Sequence, residues 1–133
     1  MTAVVLDASA LLAFLHDEPG ADTVDAVLAD SLISTVNWSE VARKSLARGV
    51  DMQGLREDVE ALGVRIQAFN AEDAECAARL WPATHALGLS LGDRACLALG
   101  RRVGAPVLTT DRAWLDLAEP LDLAIRNVRP SSS

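Results

Sequence analysis

Ala3-Val4-Val5-Leu6-Asp7-Ala8-Ser9-Ala10-Leu11-Leu12 decides how this chain is read. An uninterrupted apolar run meets an acid, and a second apolar stretch of small residues and leucines follows. Residues 3–7 are read as a short buried strand, and Ser9 to His16 as an apolar helix. Asp7 therefore stands at a joint between strand and helix.

The same grammar recurs along the chain. Residues 32–36 are expected as a second strand, followed by a helix from Asn37 to Arg48 that Gly49 stops. Val64 to Phe69 is a third strand and Val107 to Thr110 a fourth. Leu123 to Val128 is a fifth, at an edge. Helices are expected from Ala21 to Asp30 after the Pro19-Gly20 break, and from Asp51 to Leu62 before Gly63. Ala71 to Leu87 is helical but kinked or split by Pro82. Ser90 to Val103 is amphipathic and ends at Gly104, and a short helix covers Arg112 to Ala118. Continuous apolar strands separated by helices imply parallel pairing covered on both faces. The expected fold class is α/β: a three-layer α/β/α sandwich around a central, mainly parallel sheet of four to five strands.

With 133 residues, one domain over residues 1–130 is expected, with 131–133 as a disordered tail. No apolar run approaches the roughly 18 residues of a membrane span. Met1-Thr2-Ala3 carries no charged leader, so a cytoplasmic protein is expected. Cys76 and Cys96 lie within apolar helical patterns and read as reduced, buried thiols. The two histidines and two cysteines lack zinc-motif spacing. A formal charge of −7 excludes a simple basic nucleic-acid-binding module.

Four of the 19 acids stand apart by position. Asp7 and Asp111 each end an apolar strand. Glu40 lies three residues beyond Asn37, and Asp93 three beyond Ser90. Parallel pairing would gather strand ends and helix starts on one rim, where open α/β folds bind ligands. Four carboxylates there would repel one another, and a divalent metal is the usual reason to tolerate that. A capping reading competes for the same atoms. Asp7 and Asp111 suit N-caps, while Asn37 to Glu40 and Ser90 to Asp93 resemble capping boxes. No other helix is expected to begin that way.

Around the rim, Arg94 and Arg112 each follow an acid directly, and Arg43 and Lys44 come one turn after Glu40. These four are the candidate phosphate contacts. Ser9 is kept as a residue that orients a neighbouring ligand, and Thr109 and Thr110 are assigned to strand-end hydrogen bonding. Trp38 and Trp114 are assigned to core packing. The acid runs 57–60 and 72–75 read as solvated helix faces, and Arg101 and Arg102 as complements to a helix C-terminus. His16 and His85 receive no role.

Four runs carry a family resemblance: Val5 to Leu12, Ser34 to Val41, Leu89 to Ala98 and Val107 to Trp114. In order and spacing they resemble PIN-domain ribonucleases, most of all the VapC-type toxins of bacterial toxin–antitoxin pairs. The resemblance implies a PIN-like fold and a metal-dependent endoribonuclease with Asp7, Glu40, Asp93 and Asp111 as its acidic quartet. It also implies a homodimer silenced by a small antitoxin, for which the helices from Ala21 to Asp30 and Asn37 to Arg48 would form a groove. Within the quartet, Asp7 and Asp93 are expected to ligate Mg²⁺ or Mn²⁺ directly. Glu40 would act through water or take a proton, and Asp111 would complete the cage. Two rivals remain on residues alone. An aspartyl-nucleophile phosphatase or phosphotransferase wants an acid where Ser9 stands and a lysine placed unlike Lys44. A non-catalytic dimeric scaffold would use the acids only as caps.

Overall fold

The computed structural model describes residues 3–130, so the expected tail at 131–133 lies outside the described residues. Five strands form one sheet: β1 (Val4–Leu6), β2 (Ser31–Ser34), β3 (Arg65–Gln67), β4 (Val107–Thr109) and β5 (Ile125–Asn127). Their order is β3-β2-β1-β4-β5 and every pairing is parallel. The expected sheet was mainly parallel with four to five strands; the sheet has five, and β5 is at an edge.

Alternation along the short strands builds two cores. Val5, Leu32 and Val107 join Ala77, Leu97 and Trp114 on one face of the sheet. Val4, Leu6, Ile33 and Leu108 join Leu11, Val24, Val41 and Val59 on the other. Val5, Leu6, Ile33 and Val107 are fully buried, each contributing about 1.5–3 kcal/mol relative to exposure. The covering helices are α1 (Ala8–Leu15), α2 (Ala21–Asp25), α3 (Thr35–Ala47), α4 (Leu55–Ala61), α5 (Ala71–Arg79), α6 (Trp81–Thr84), α7 (Leu91–Val103) and α8 (Ala118–Leu121). At Gly100 a Cβ would stand 2.5 Å from Val107 Cγ2, so a mid-helix glycine lets α7 lie close on β4.

Several boundaries differ from expectation for local reasons. Strand β2 ends at Ser34 because its hydroxyl accepts from Val36 N–H at 3.2 Å and caps α3. Helix α3 therefore starts before Asn37, which lies inside the helix and is not its cap. The stretch 21–30 divides into α2 and a 3-10 turn, Leu28–Asp30, tied down by Ser31 Oγ donating to Leu28 O. Gly54, with φ of 81°, delays the helix expected from Asp51 until Leu55. Residues 71–87 split into α5, α6 and the 3-10 turn His85–Leu87, with Pro82 near the start of α6 where its missing N–H costs nothing. Arg112–Leu117 is 3-10 rather than α-helical.

Candidate active site

From β1 the chain steps outward to β2 and β3, then crosses to β4 and β5 on the other side of β1. The carboxyl ends of β1 and β4 thus flank the switch point of the sheet, where a crevice forms. Asp7 follows β1 directly and is only 5% exposed. Its Oδ1 accepts from Ser9 Oγ at 2.7 Å and Ala10 N at 2.8 Å, capping α1. Its Oδ2 accepts from Thr109 Oγ at 2.6 Å across the β1–β4 pair. Burial drives the Asp7 carboxyl up from 3.8 to about 6. The three hydrogen bonds restrain that rise, and the nearby charge of Asp93 adds to it.

Asp111 N donates to the same Thr109 hydroxyl at 3.0 Å, and Asp111 Oδ1 caps the following turn through Ala113 N at 3.0 Å. Thr109 therefore links two of the acids. Thr110 N donates to Ser9 Oγ at 3.1 Å, closing the ring. At the start of α7, Ser90 Oγ accepts from Asp93 N while Asp93 Oδ2 accepts from Ser90 N. On α3, Lys44 Nζ stands 3.2 Å from Glu40 Oε1. Asn37, 1% exposed, donates from Nδ2 to Gly92 O at 2.9 Å. That bond clamps α3 to α7 and brings the helix faces bearing Glu40 and Asp93 together.

Asp7, Glu40, Asp93 and Asp111 line one cleft of about 250 Å³ with Ser9, Lys44, Thr110 and Trp114. The cavity and its carboxylates leave a field in the core: the buried Cys96 thiol is pushed well above 9.0, by burial first and then by Asp7 and Asp93. Cys96 is buried and free as expected, whereas Cys76 is only partly buried. Trp114 is a core residue, 1% exposed, that also lines the cleft. Among the described residues, no three His, Cys, Asp or Glu side chains stand close enough to cage a metal as they are. Caps and the Glu40–Lys44 pair hold the acids back. A carboxylate has about four lone-pair sites. The single caps on Asp93 and Asp111 leave most of theirs open, and the three bonds to Asp7 leave one on Oδ2. The all-oxygen donor set suits a hard divalent ion.

The basic candidates divide. Lys44 lines the cleft; Arg43, Arg94 and Arg112 are not among its lining residues. Arg94 Nη1 reaches Ala77 O on α5 at 3.4 Å, and its Nε is buried without a partner. Sequence reasoning undervalued Thr109 and misread Asn37 as a cap. Their signals were present, as a hydroxyl ending β4 beside Asp111 and an amide one helical turn before Glu40.

A model of the PIN domain family matches residues 4–120. The chain belongs to the PIN domain family. A "Ribonuclease VapC" of Mycolicibacterium smegmatis is 31% identical to this PIN domain over 120 residues, covering 84% of this chain and 93% of the relative. "Ribonuclease VapC30" of Mycobacterium tuberculosis is 32% identical over 114 residues, covering 79% and 87%. Among solved structures, a toxin–antitoxin complex from Klebsiella pneumoniae superposes with a TM-score of 0.73 at 19% identity, over 97% of this chain and 100% of that one. VapBC2 from Rickettsia felis, bound to a promoter DNA fragment, gives 0.71 at 15% identity, over 95% and 98%. Those two likenesses concern the fold alone.

Proposed function

We propose that this PIN domain is a divalent-metal-dependent endoribonuclease, the toxin of a toxin–antitoxin pair, held silent by its cognate antitoxin in the cytoplasm. The observation that carries the reading is the meeting of Asp7, Glu40, Asp93 and Asp111, from four separate elements, in one cleft at the switch point. The names of its curated relatives supply the substrate class. No described helix is long and apolar enough to cross a membrane.

Asp7 and Asp93 would hold Mg²⁺ or Mn²⁺ directly, with Glu40 and Asp111 joining directly or through water. When bound, the cation supplies Lewis-acid charge at the scissile phosphate and a means of ionising water near neutral pH. The chain's own residues do the rest. Ser9 and Thr109 fix both oxygens of Asp7, and Thr109 sets the register of Asp111 against it. The Asn37–Gly92 bond holds Glu40 over the cleft, where it accepts the proton of the attacking water. Lys44, paired with Glu40 at rest, turns to the incoming phosphate. The phosphatase reading lacks its second acid, because Ser9 stands at that position and donates to Asp7.

A homodimer belongs to the same reading, and light scattering of the purified chain tests it. Helices α2 and α3 both pack on α1, so an antitoxin lying between them would rest on α1. The deciding experiment incubates purified protein with total RNA, with Mg²⁺ or with EDTA, and maps new ends. Cleavage that needs Mg²⁺ and is lost in Asp93→Asn supports the reading; metal-independent cleavage or none overturns it.

A further inference from the structure

Beside the acidic cleft lies a second cavity of about 380 Å³. The two share Ser9, Lys44 and Thr110 as walls, so they adjoin, one forming an acidic half and the other a basic half of the same rim. The basic half is lined by Lys44 from α3, by Arg48 capping the end of that helix and by Arg129 just after β5. His16, at the end of α1, lines it as well, and its Nε2 is buried with no hydrogen-bond partner. Leu12 and Ala47 give the floor an apolar strip. Glu18 is the acid on this wall, and Arg48 offsets it at 3.9 Å. In a chain with formal charge −7, three cations converging on one hollow are a departure from the general field.

Resting on the nuclease reading, we infer that the basic half is a nucleotide subsite that holds the RNA strand next to the phosphate being cut. Its volume falls within the roughly 300–1,000 Å³ of small-molecule pockets, enough for one unstacked nucleotide. Single-stranded RNA is read by such splayed nucleotides, with cations on the backbone and polar groups on the base. Arg48 and Arg129 hold the adjoining phosphate, Lys44 bridges it to the scissile one, and His16 Nε2 meets the base or sugar over the Leu12 strip. A protein segment is the competing occupant, but convergent cations beside a phosphodiester site favour the polyanion.

The test titrates a fluorescein-labelled single-stranded RNA with the protein in EDTA, which separates binding from cleavage. Arg48→Gln and Arg129→Gln should each weaken binding roughly fivefold to tenfold and flatten the log-affinity against log-salt slope by about 0.7. His16→Leu should weaken binding with the slope unchanged. Arg56→Gln, on α4 and paired with Glu57 and Glu60, should bind as wild type. In Mg²⁺ the two arginine variants should raise KM with kcat kept. Wild-type binding by both arginine variants, or no RNA binding by the wild type, overturns the subsite. So does a loss of antitoxin capture with RNA binding intact, which makes the hollow a protein dock. Salt-dependent binding through the arginines without any Mg²⁺-driven cleavage keeps the subsite and sinks the nuclease reading instead.

Discussion

Asn70 and Asp73 open α5 with the same reciprocal hydrogen bonds that Ser90 and Asp93 use at the start of α7. The local chemistry is shared, yet the two acids meet different surroundings. Asp73 is 3% exposed, and Arg102 from the far end of α7 reaches it at 2.6 Å on Oδ1 and 3.4 Å on Oδ2. Its charge is consumed inside the α5–α7 contact. No ion pair among the described residues engages Asp93, and it faces Asp7 across the cleft instead. A capping box therefore fixes where a carboxylate sits; a partner from elsewhere in the chain decides whether that carboxylate stays available.

Exchanging each acid for its amide should separate the pair most sharply. Asp93→Asn keeps the cap and should lower Mg²⁺-dependent RNA cleavage by about a thousandfold or more, on the order of 4 kcal/mol in the barrier, with little change in urea stability. Asp73→Asn should leave cleavage near wild type and cost about 2 kcal/mol of folding stability, because it breaks a largely buried pair. Comparable cleavage by the two variants would remove the distinction between them.

Asp7 extends the comparison to pH. Its folded carboxyl titrates at about 6 against 3.8 when unperturbed, so the unfolded chain releases this proton first. Stability from Asp7 is present below pH 4 and is lost as pH rises through 6, which at neutral pH costs up to about 3 kcal/mol. In EDTA, Asp7→Asn should therefore be more stable than wild type at pH 7.5 and no more stable at pH 4, by chemical denaturation. Added Mg²⁺ should raise the wild-type Tm and not that of the variant. A destabilised Asp7→Asn at pH 7.5 would mean that the crowded carboxylate is already compensated without metal.

Much of this was legible because buried parallel strands appear as continuous apolar runs, and the residue ending each run falls on one rim. Asp7 and Asp111 could be placed by that rule alone. Asp73 could not. Its run, Glu72 to Glu75, has the composition of a solvated face, and only Arg102, 29 positions downstream, turns it inward. Arg102 does stand in the last turn of α7 as expected, but its pairing with Asp73 has no local signal, and the capping box at Asn70 was overlooked although its residues are in plain order. The start of α3 depended on a competition between Ser34 as strand and Ser34 as cap, which the alternation pattern does not resolve. His16, Arg48 and Arg129 converge from the C-terminal caps of α1 and α3 and the segment after β5, a meeting that only the topology reveals.

Thr109 offers the finest cut, because its hydroxyl serves the site without facing the substrate. It donates to Asp7 Oδ2 and accepts from Asp111 N, whereas the buried Thr84 hydroxyl donates to the backbone at Leu80 O. Thr84→Val loses the hydroxyl's bond to the backbone and Thr109→Val loses two bonds, each worth about 1 kcal/mol of stability. Only Thr109→Val should also lower cleavage, by about tenfold. Removing a donor from Asp7 raises its carboxyl further, so the acid limb of the pH–rate profile should move to higher pH. Thr109→Ser restores the donor and should return the limb to its wild-type position. A Thr109→Val enzyme slower by the same factor at every pH would assign the residue to packing, and the link between the two strand-end acids would carry no electrostatic consequence.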